Sequence, residues 1–254
     1  MNSSEKRFKA LISSDWNECL APCGPFDAIS FNYPRLKGPL TDIFRQYTGN
    51  RISLKQATQR IGKLIPTALT IEEMDSYLRQ SFTTYRNVGG LMQWCRDHEV
   101  LFMINTTSMI GYFQRIFKLK LLPVAPVLSA HPLLRFASLA DDLQRIFELY
   151  EISDKARNTQ KVMEHYRIAP EKIILMGDSG GDGPHFSWGQ SIGAHLVGSM
   201  AKYSLKRYCE QNDIQMDLKW GVSYQKDDQI SLDAEMKIDF LDLIPTIKAW
   251  VKIA

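Results

Sequence analysis

Asp178 and Asp182 stand four residues apart in the stretch Ile173-Ile174-Leu175-Met176-Gly177-Asp178-Ser179-Gly180-Gly181-Asp182-Gly183. Four apolar residues running into a glycine-rich acidic turn read as a buried strand that ends abruptly in a tight loop. Acids spaced in this way suit a hard cation such as Mg²⁺, which takes oxygen ligands and keeps waters or substrate phosphate in its shell. Other polar groups share this address at the end of an apolar run. Asp15 follows Phe8-Lys9-Ala10-Leu11-Ile12-Ser13-Ser14, and Asn105-Thr106-Thr107-Ser108 follows Val100-Leu101-Phe102-Met103-Ile104. Hydroxyl and amide hydrogens of that second group can hold phosphate oxygens, helped by the dipole of a helix starting near Met109. Lys155, in Ser153-Asp154-Lys155, opens a helix, where a cation opposes the helix dipole and is tolerable if an anion sits nearby. An Asp after a strand also serves as a turn former, and Thr or Ser as a helix cap, so position alone leaves both readings open.

The elements that must position these residues read as an α/β fold, a Rossmann-like parallel sheet with ligands beyond the carboxyl ends of its strands. Pro22, Gly24 and Pro25 break the chain after the first strand. From Gly38 to about Tyr85 the pattern is helical, with faces Leu40/Ile43/Phe44/Tyr47, Leu54/Ala57/Ile61/Leu64 and Met74/Tyr77/Leu78/Phe82. Thr41, Ser53 and Thr70 are the expected N-caps, Thr70 with Glu73 at capping-box spacing. This gives a small helical cap over residues 25–85 and a core made of 1–24 and 86–254. Arg45, Arg51, Lys55, Arg60 and Lys63 of the cap either face an anionic substrate or form a solvated surface. Further on, the spacing predicts an irregular edge strand over Leu122–Leu128, a helix from about Ala140 to Leu149, and strands over Gly193–Met200 and around Leu218, Trp220, Val222 and Tyr224. A C-terminal helix presents Phe240, Leu243, Ile244, Ile247, Trp250 and Val251 as one stripe, with Pro245 in its first turns.

Composition narrows the function classes. The chain has 254 residues, 44% of them apolar, enough to bury a substantial core. No apolar run approaches the roughly 20 residues of a membrane span, and Met1–Arg7 lacks the apolar segment of a signal peptide, so a cytoplasmic protein with no membrane partner is expected. A formal charge of +3 gives no warrant for a nucleic-acid partner. Cys19 and Cys23 form a C-x₃-C pair while Cys95 and Cys209 are isolated, a pattern that supports neither a zinc site nor a disulfide framework.

Taken in order, these pieces resemble the four motifs of the haloacid dehalogenase superfamily of phosphohydrolases. Asp15-Trp16-Asn17-Glu18-Cys19-Leu20 is similar to the first motif D-x-D-G-T-L, Thr106 to the Thr/Ser of the second, Lys155 to the lysine of the third, and Gly177-Asp178-x-x-x-Asp182 to the fourth. The resemblance implies a nucleophile at Asp15 that forms an aspartyl phosphate, and Mg²⁺ held by Asp15, the Asn17 carbonyl and Asp178, with Asp182 as ligand or outer partner. Thr106 and Lys155 would orient and neutralise the transferring group of a small phosphorylated substrate. Asn17 stands where the family carries a second Asp that exchanges protons, which an amide cannot do. Three functions are therefore open: a phosphatase that is slow or borrows Glu18 or His185 as its acid, a hydrolase of another bond (C–halogen or C–P), or a phosphorylated-ligand binding protein. Oligomeric state is not legible.

Overall fold

The structure, a computed structural model, describes residues 7–48, 51–137 and 145–252. It begins with strand β1 (Ala10–Ser14), followed by helices α1 (Asp27–Asn32), α2 (Lys37–Thr48), α3 (Leu54–Leu64), α4 (Ile71–Ser81) and α5 (Val88–Asp97). Then come β2 (Val100–Met109), α6 (Ile110–Lys118), β3 (Val127–His131), β4 (Arg145–Glu148), α7 (Asp154–Tyr166), β5 (Ile173–Gly177) and α8 (Gly183–Ile192). The chain closes with β6 (His195–Ser199), α9 (Tyr203–Gln211), β7 (Leu218–Trp220), α10 (Leu232–Glu235) and α11 (Ile244–Val251).

All seven strands run parallel in the order β4-β3-β2-β1-β5-β6-β7, so the α/β class with a Rossmann-like sheet holds. After β1 the chain builds outward through β2, β3 and β4, then returns to start β5 on the other side of β1. Order reverses between β1 and β5, and connections leaving the carboxyl ends of those two strands part there and open a crevice. Both faces of the sheet are apolar, which is why runs such as Ile173–Met176 lack alternation. Ile12, Phe102, Ile104 and Ile174 pack with α5, α6 and α11, while Leu11, Leu101, Ile173 and Leu175 pack with Val162 of α7, Phe186 of α8 and Leu205 of α9.

Helices α1 to α4 follow β1 and share the larger core cluster. Ser53 and Thr70 cap α3 and α4 through reciprocal bonds with Gln56 and Glu73, as the spacing predicts. Thr41 is not a cap: α2 already begins at Lys37, and the Thr41 hydroxyl donates to the Lys37 carbonyl at 2.8 Å. Helix α1 has no counterpart in the sequence reading, because six residues between two prolines are too few to display a helical period. Two polar contacts tie these helices to the elements beneath the crevice. Arg115 of α6 grips Asp75 of α4 with paired bonds of 2.7 and 2.8 Å, and the Glu151 carboxylate accepts the Leu54 and Lys55 amides at the N-terminus of α3, at 3.1 and 3.3 Å.

Four other expectations change. Strand β2 runs on to Met109, so Asn105 to Ser108 lie in its irregular last part, where the pairing with β3 shifts register, and not beyond its end. The prolines of 122–128 precede β3 instead of sitting in it, which frees β3 to be an interior strand. Residues 145–148 form the edge strand β4 where a helix was expected, their backbone groups taken up by β3; residues 140–144 lie outside the described residues. Strand β7 stops at Trp220, and Tyr224 instead donates its amide to the Ala201 carbonyl at 2.8 Å. No helix among the described residues is long and apolar enough to cross a membrane.

Candidate active site

The crevice between β1 and β5 brings together residues far apart in sequence. Asp15 leaves the end of β1 with its amide bonded to the Met176 carbonyl at 3.0 Å, and Asp178 leaves the end of β5. Asp182 folds back from a 3₁₀ turn over Gly180–Asp182, and its Oδ2 accepts the amides of Asp178 at 3.0 Å and Ser179 at 3.2 Å. That return is possible because residue 177 is glycine: a Cβ there would fall 2.4 Å from Asp182 Cγ. Lys155, in the first turn of α7, extends its ammonium between Asp182 Oδ1 at 2.6 Å and Asp15 Oδ2 at 3.0 Å. The anion that a lysine at a helix start calls for is thus supplied by two carboxylates. One oxygen each of Asp15, Asp178 and Asp182 lies within 4.8 Å of the others.

Asp178, Asp182 and Lys155 are 2%, 1% and 2% exposed, so water screens little of their interaction. Burial, with the carboxylates of Asp182 and Asp15 nearby, pushes the Asp178 carboxyl well above the ordinary range. Burial also works against the Lys155 charge, but Asp15 and Asp182 outweigh it and hold the ammonium above the ordinary lysine value. Three converging carboxylates, with Lys155 shared by Asp15 and Asp182 and Lys202 shared by Asp178 and Glu18, make a cluster with excess negative charge and only oxygen donors. A divalent metal of the hard, oxygen-seeking kind fits that donor set.

Around this centre the remaining residues singled out from the sequence take different places. Asn17 is held from both ends: its amide donates to the Cys23 carbonyl at 3.1 Å, and its Oδ1 accepts the Thr106 hydroxyl at 3.3 Å. Thr106 itself is fully buried behind Asn17, and it is Thr107 that faces the crevice. His185 is removed from the crevice wall. It is 2% exposed, lies 3.0 Å from the Thr159 hydroxyl, and burial presses its pKa down to about 3, so it is no proton donor to this site. None of Arg45, Arg51, Lys55, Arg60 and Lys63 lines the crevice, and all are exposed, which favours the solvated-surface reading.

Two groups were missed. Lys202, just past the carboxyl end of β6, reaches Asp178 Oδ2 at 3.1 Å and pairs with Glu18, whose backbone is left-handed at φ 58°. Its position after an apolar strand is the same signal that marked Asp15 and Asp178. Glu235 is buried on α10 and receives the hydroxyls of Tyr85 at 2.7 Å and Tyr224 at 2.8 Å, which ties the segments carrying Glu18 and Lys202 together from behind. The crevice widens into a cavity of about 940 Å³ between α2, which contributes Phe44 and Tyr47, and α9.

Solved structures share this architecture, and the class it defines is the haloacid dehalogenase-like fold. Among them are a phospho-aspartyl intermediate analogue of phosphoserine phosphatase (TM-score 0.63, 14% identity, 95% of this chain and 100% of that one) and a substrate-bound phosphoserine phosphatase complex (TM-score 0.63, 15% identity, 96% and 100%). A haloacid dehalogenase family hydrolase from Salmonella enterica serovar Typhi gives a TM-score of 0.58 at 16% identity, over 83% of this chain and 68% of that one. Identities this low establish the fold, and at that level the resemblance seen in the motifs is borne out. Neither protein-family models nor curated proteins give a match to the sequence.

Proposed function

We propose that the protein is a Mg²⁺-dependent phosphohydrolase that cleaves a small phosphorylated metabolite through an aspartyl phosphate on Asp15. The observation that carries this reading is the convergence of Asp15, Asp178 and Asp182, with Lys155 bridging Asp15 and Asp182, at the point where strand order reverses. Asp15, Asp178 and the Asn17 carbonyl would hold the metal, which when bound offsets the charge of the phosphate oxygens. An Asp15 carboxylate oxygen forms the new bond to phosphorus as the ester P–O bond breaks, and water then attacks phosphorus, releasing phosphate and restoring the carboxylate. Lys155 offsets charge on the transferring group, and Asp182, with both oxygens already engaged, keeps Lys155 and the acidic turn in place. Thr106 acts through Asn17, by fixing the orientation of its amide. Residues 25–85 act as a cap over a core formed by 1–24 and 86–254. Four free cysteines are in keeping with a reducing compartment such as the cytoplasm.

Asn17 favours a second reading, a phosphorylated-ligand binding protein with little or no turnover, because its amide has no proton to give the leaving oxygen. The three-carboxylate cluster speaks for metal and phosphate over hydrolysis of a C–halogen bond. A panel of phosphate esters with Mg²⁺, run beside haloacids without it, separates a phosphatase from a dehalogenase and from a binding protein without turnover. Beryllofluoride should mark Asp15 alone, and Asp15→Asn should abolish turnover with the fold intact; label on another residue would sink the covalent mechanism.

A further inference from the structure

One face of α9 forms the wall of the cavity opposite α2. Its residues Tyr203, Ser204, Arg207, Tyr208 and Gln211 follow the i, i+4, i+8 spacing of a helical stripe, while Leu205 and Cys209 turn into the core. This wall is fixed relative to the carboxylates. The Gly180 amide of the acidic turn donates to Ser204 Oγ at 3.1 Å, and the Tyr208 ring occupies the space a side chain at Gly183 would need, where a Cβ would lie 2.3 Å away.

Charge is segregated along the cavity. Its carboxylates, Asp15, Glu18 and Asp178, gather at the metal end, and the α9 stripe carries none. Among the described residues three cations line the cavity, and two are committed: Lys155 to Asp15 and Asp182, Lys202 to Glu18 and Asp178. Arg207 makes no ion pair with a described residue. Exposed on the stripe that also carries Tyr203 and Tyr208, its guanidinium presents a planar fork suited to a carboxylate or phosphate. It lies five residues beyond Lys202, about 7.5 Å along the helix axis at about 1.5 Å per residue. At about 940 Å³ the cavity is at the upper end of the roughly 300–1,000 Å³ range of small-molecule sites.

From these observations we infer that the substrate carries a second anionic group, several bonds from the phosphoryl group, and that Arg207 on α9 is the specificity-determining residue that reads it. This rests on the phosphohydrolase reading for the reacting end, and extends it to the far end. Lys202 and Lys155 serve the phosphoryl end; Arg207 discriminates among esters by what they carry beyond it.

The test compares phenyl phosphate, 4-carboxyphenyl phosphate and 1,4-phenylene bisphosphate in the presence of Mg²⁺, for wild type, Arg207→Gln and Arg207→Lys. The wild type should favour one or both doubly anionic esters over phenyl phosphate by tenfold or more in kcat/KM, with the carboxylate and bisphosphate arms telling which anion is preferred. In Arg207→Gln that ratio should fall to near one, and in Arg207→Lys it should be partly kept. No preference in the wild type, or an equal ratio in Arg207→Gln, overturns the inference. Should no ester turn over, the phosphohydrolase reading is what has failed, and calorimetric binding of benzylphosphonate against 4-carboxybenzylphosphonate decides the inference separately. A carboxylate-dependent gain in affinity that is lost in Arg207→Gln supports it, and equal affinities overturn it.

Discussion

Under the proposed mechanism, Asn17 limits how much chemistry the site can do. Glu18 is engaged by Lys202 and His185 is buried away from the crevice, so neither neighbour takes over the missing proton transfer. Asn17→Asp should raise phosphatase activity, by an amount approaching the roughly 10²–10⁴-fold range of general acid–base assistance. Alkyl esters, with poor leaving groups, should gain most and aryl or acyl phosphates least; a flat response across leaving groups would count against the role given to position 17. At Asp178 the expectation concerns the metal directly. Calorimetric titration of Asp178→Ala should show Mg²⁺ affinity lost, and unchanged binding would remove the assignment. Asp15, Thr106 and Asp178 were readable because each follows an apolar run in the sequence, and Lys155 because a cation at a helix start calls for an anion. Lys202 had the same address but follows no motif, and Arg207 acquires a role only when α9 is rotated to face the cavity, which no spacing of its own reveals.

Among the elements, the helices of residues 27–81 are held to the rest of the chain by the Asp75–Arg115 fork and by Glu151 at the N-terminus of α3. The fork's side chains are 11% and 15% exposed, and Asp75 holds the Arg115 pKa above its ordinary value. A double-mutant cycle on Asp75→Ala and Arg115→Ala should return a coupling of about 1.5–3 kcal/mol in denaturant unfolding, the range for charge-assisted hydrogen bonds. Glu151→Ala removes an anion from a helix N-terminus and should cost about 0.5–1 kcal/mol, visible as a lower urea midpoint. A null result in both would mean that apolar packing alone holds these helices. The caps Ser53 and Thr70 were legible, since hydroxyl and acceptor sit at fixed spacing. Strand β4 was not, because four residues fit either period and only pairing with β3 decides between them.

At the scale of the whole molecule, acid lability follows from two buried histidines. Burial holds His185 at about 3 and His131 at about 4, against an unfolded value near 6.5. Between those values the unfolded chain binds more protons than the folded one, so their contribution is full above about pH 6.5 and is lost as pH falls toward 4 and then 3. Each contributes a slope of up to about 1.4 kcal/mol per pH unit in that window. The raised carboxyl pKa values of Asp178 and Asp182 work with the opposite sign, because protons then favour the folded state. Comparing wild type with His185→Gln isolates the histidine. Urea midpoints measured from pH 7 to 5 should fall more steeply in the wild type, and equal slopes would refute this account.

The missing methyl of Gly177 bears on which changes this protein tolerates. Residues of the central strands that only fill volume can be exchanged for others of similar size at modest cost. Residue 177 does no chemistry, yet one added carbon there collides with Asp182, whose two oxygens hold the Asp178 and Ser179 amides and the Lys155 ammonium. Mutational robustness is therefore low at a position without a functional group, and a screen that scored only charged and polar residues would pass over this sensitive point of the site.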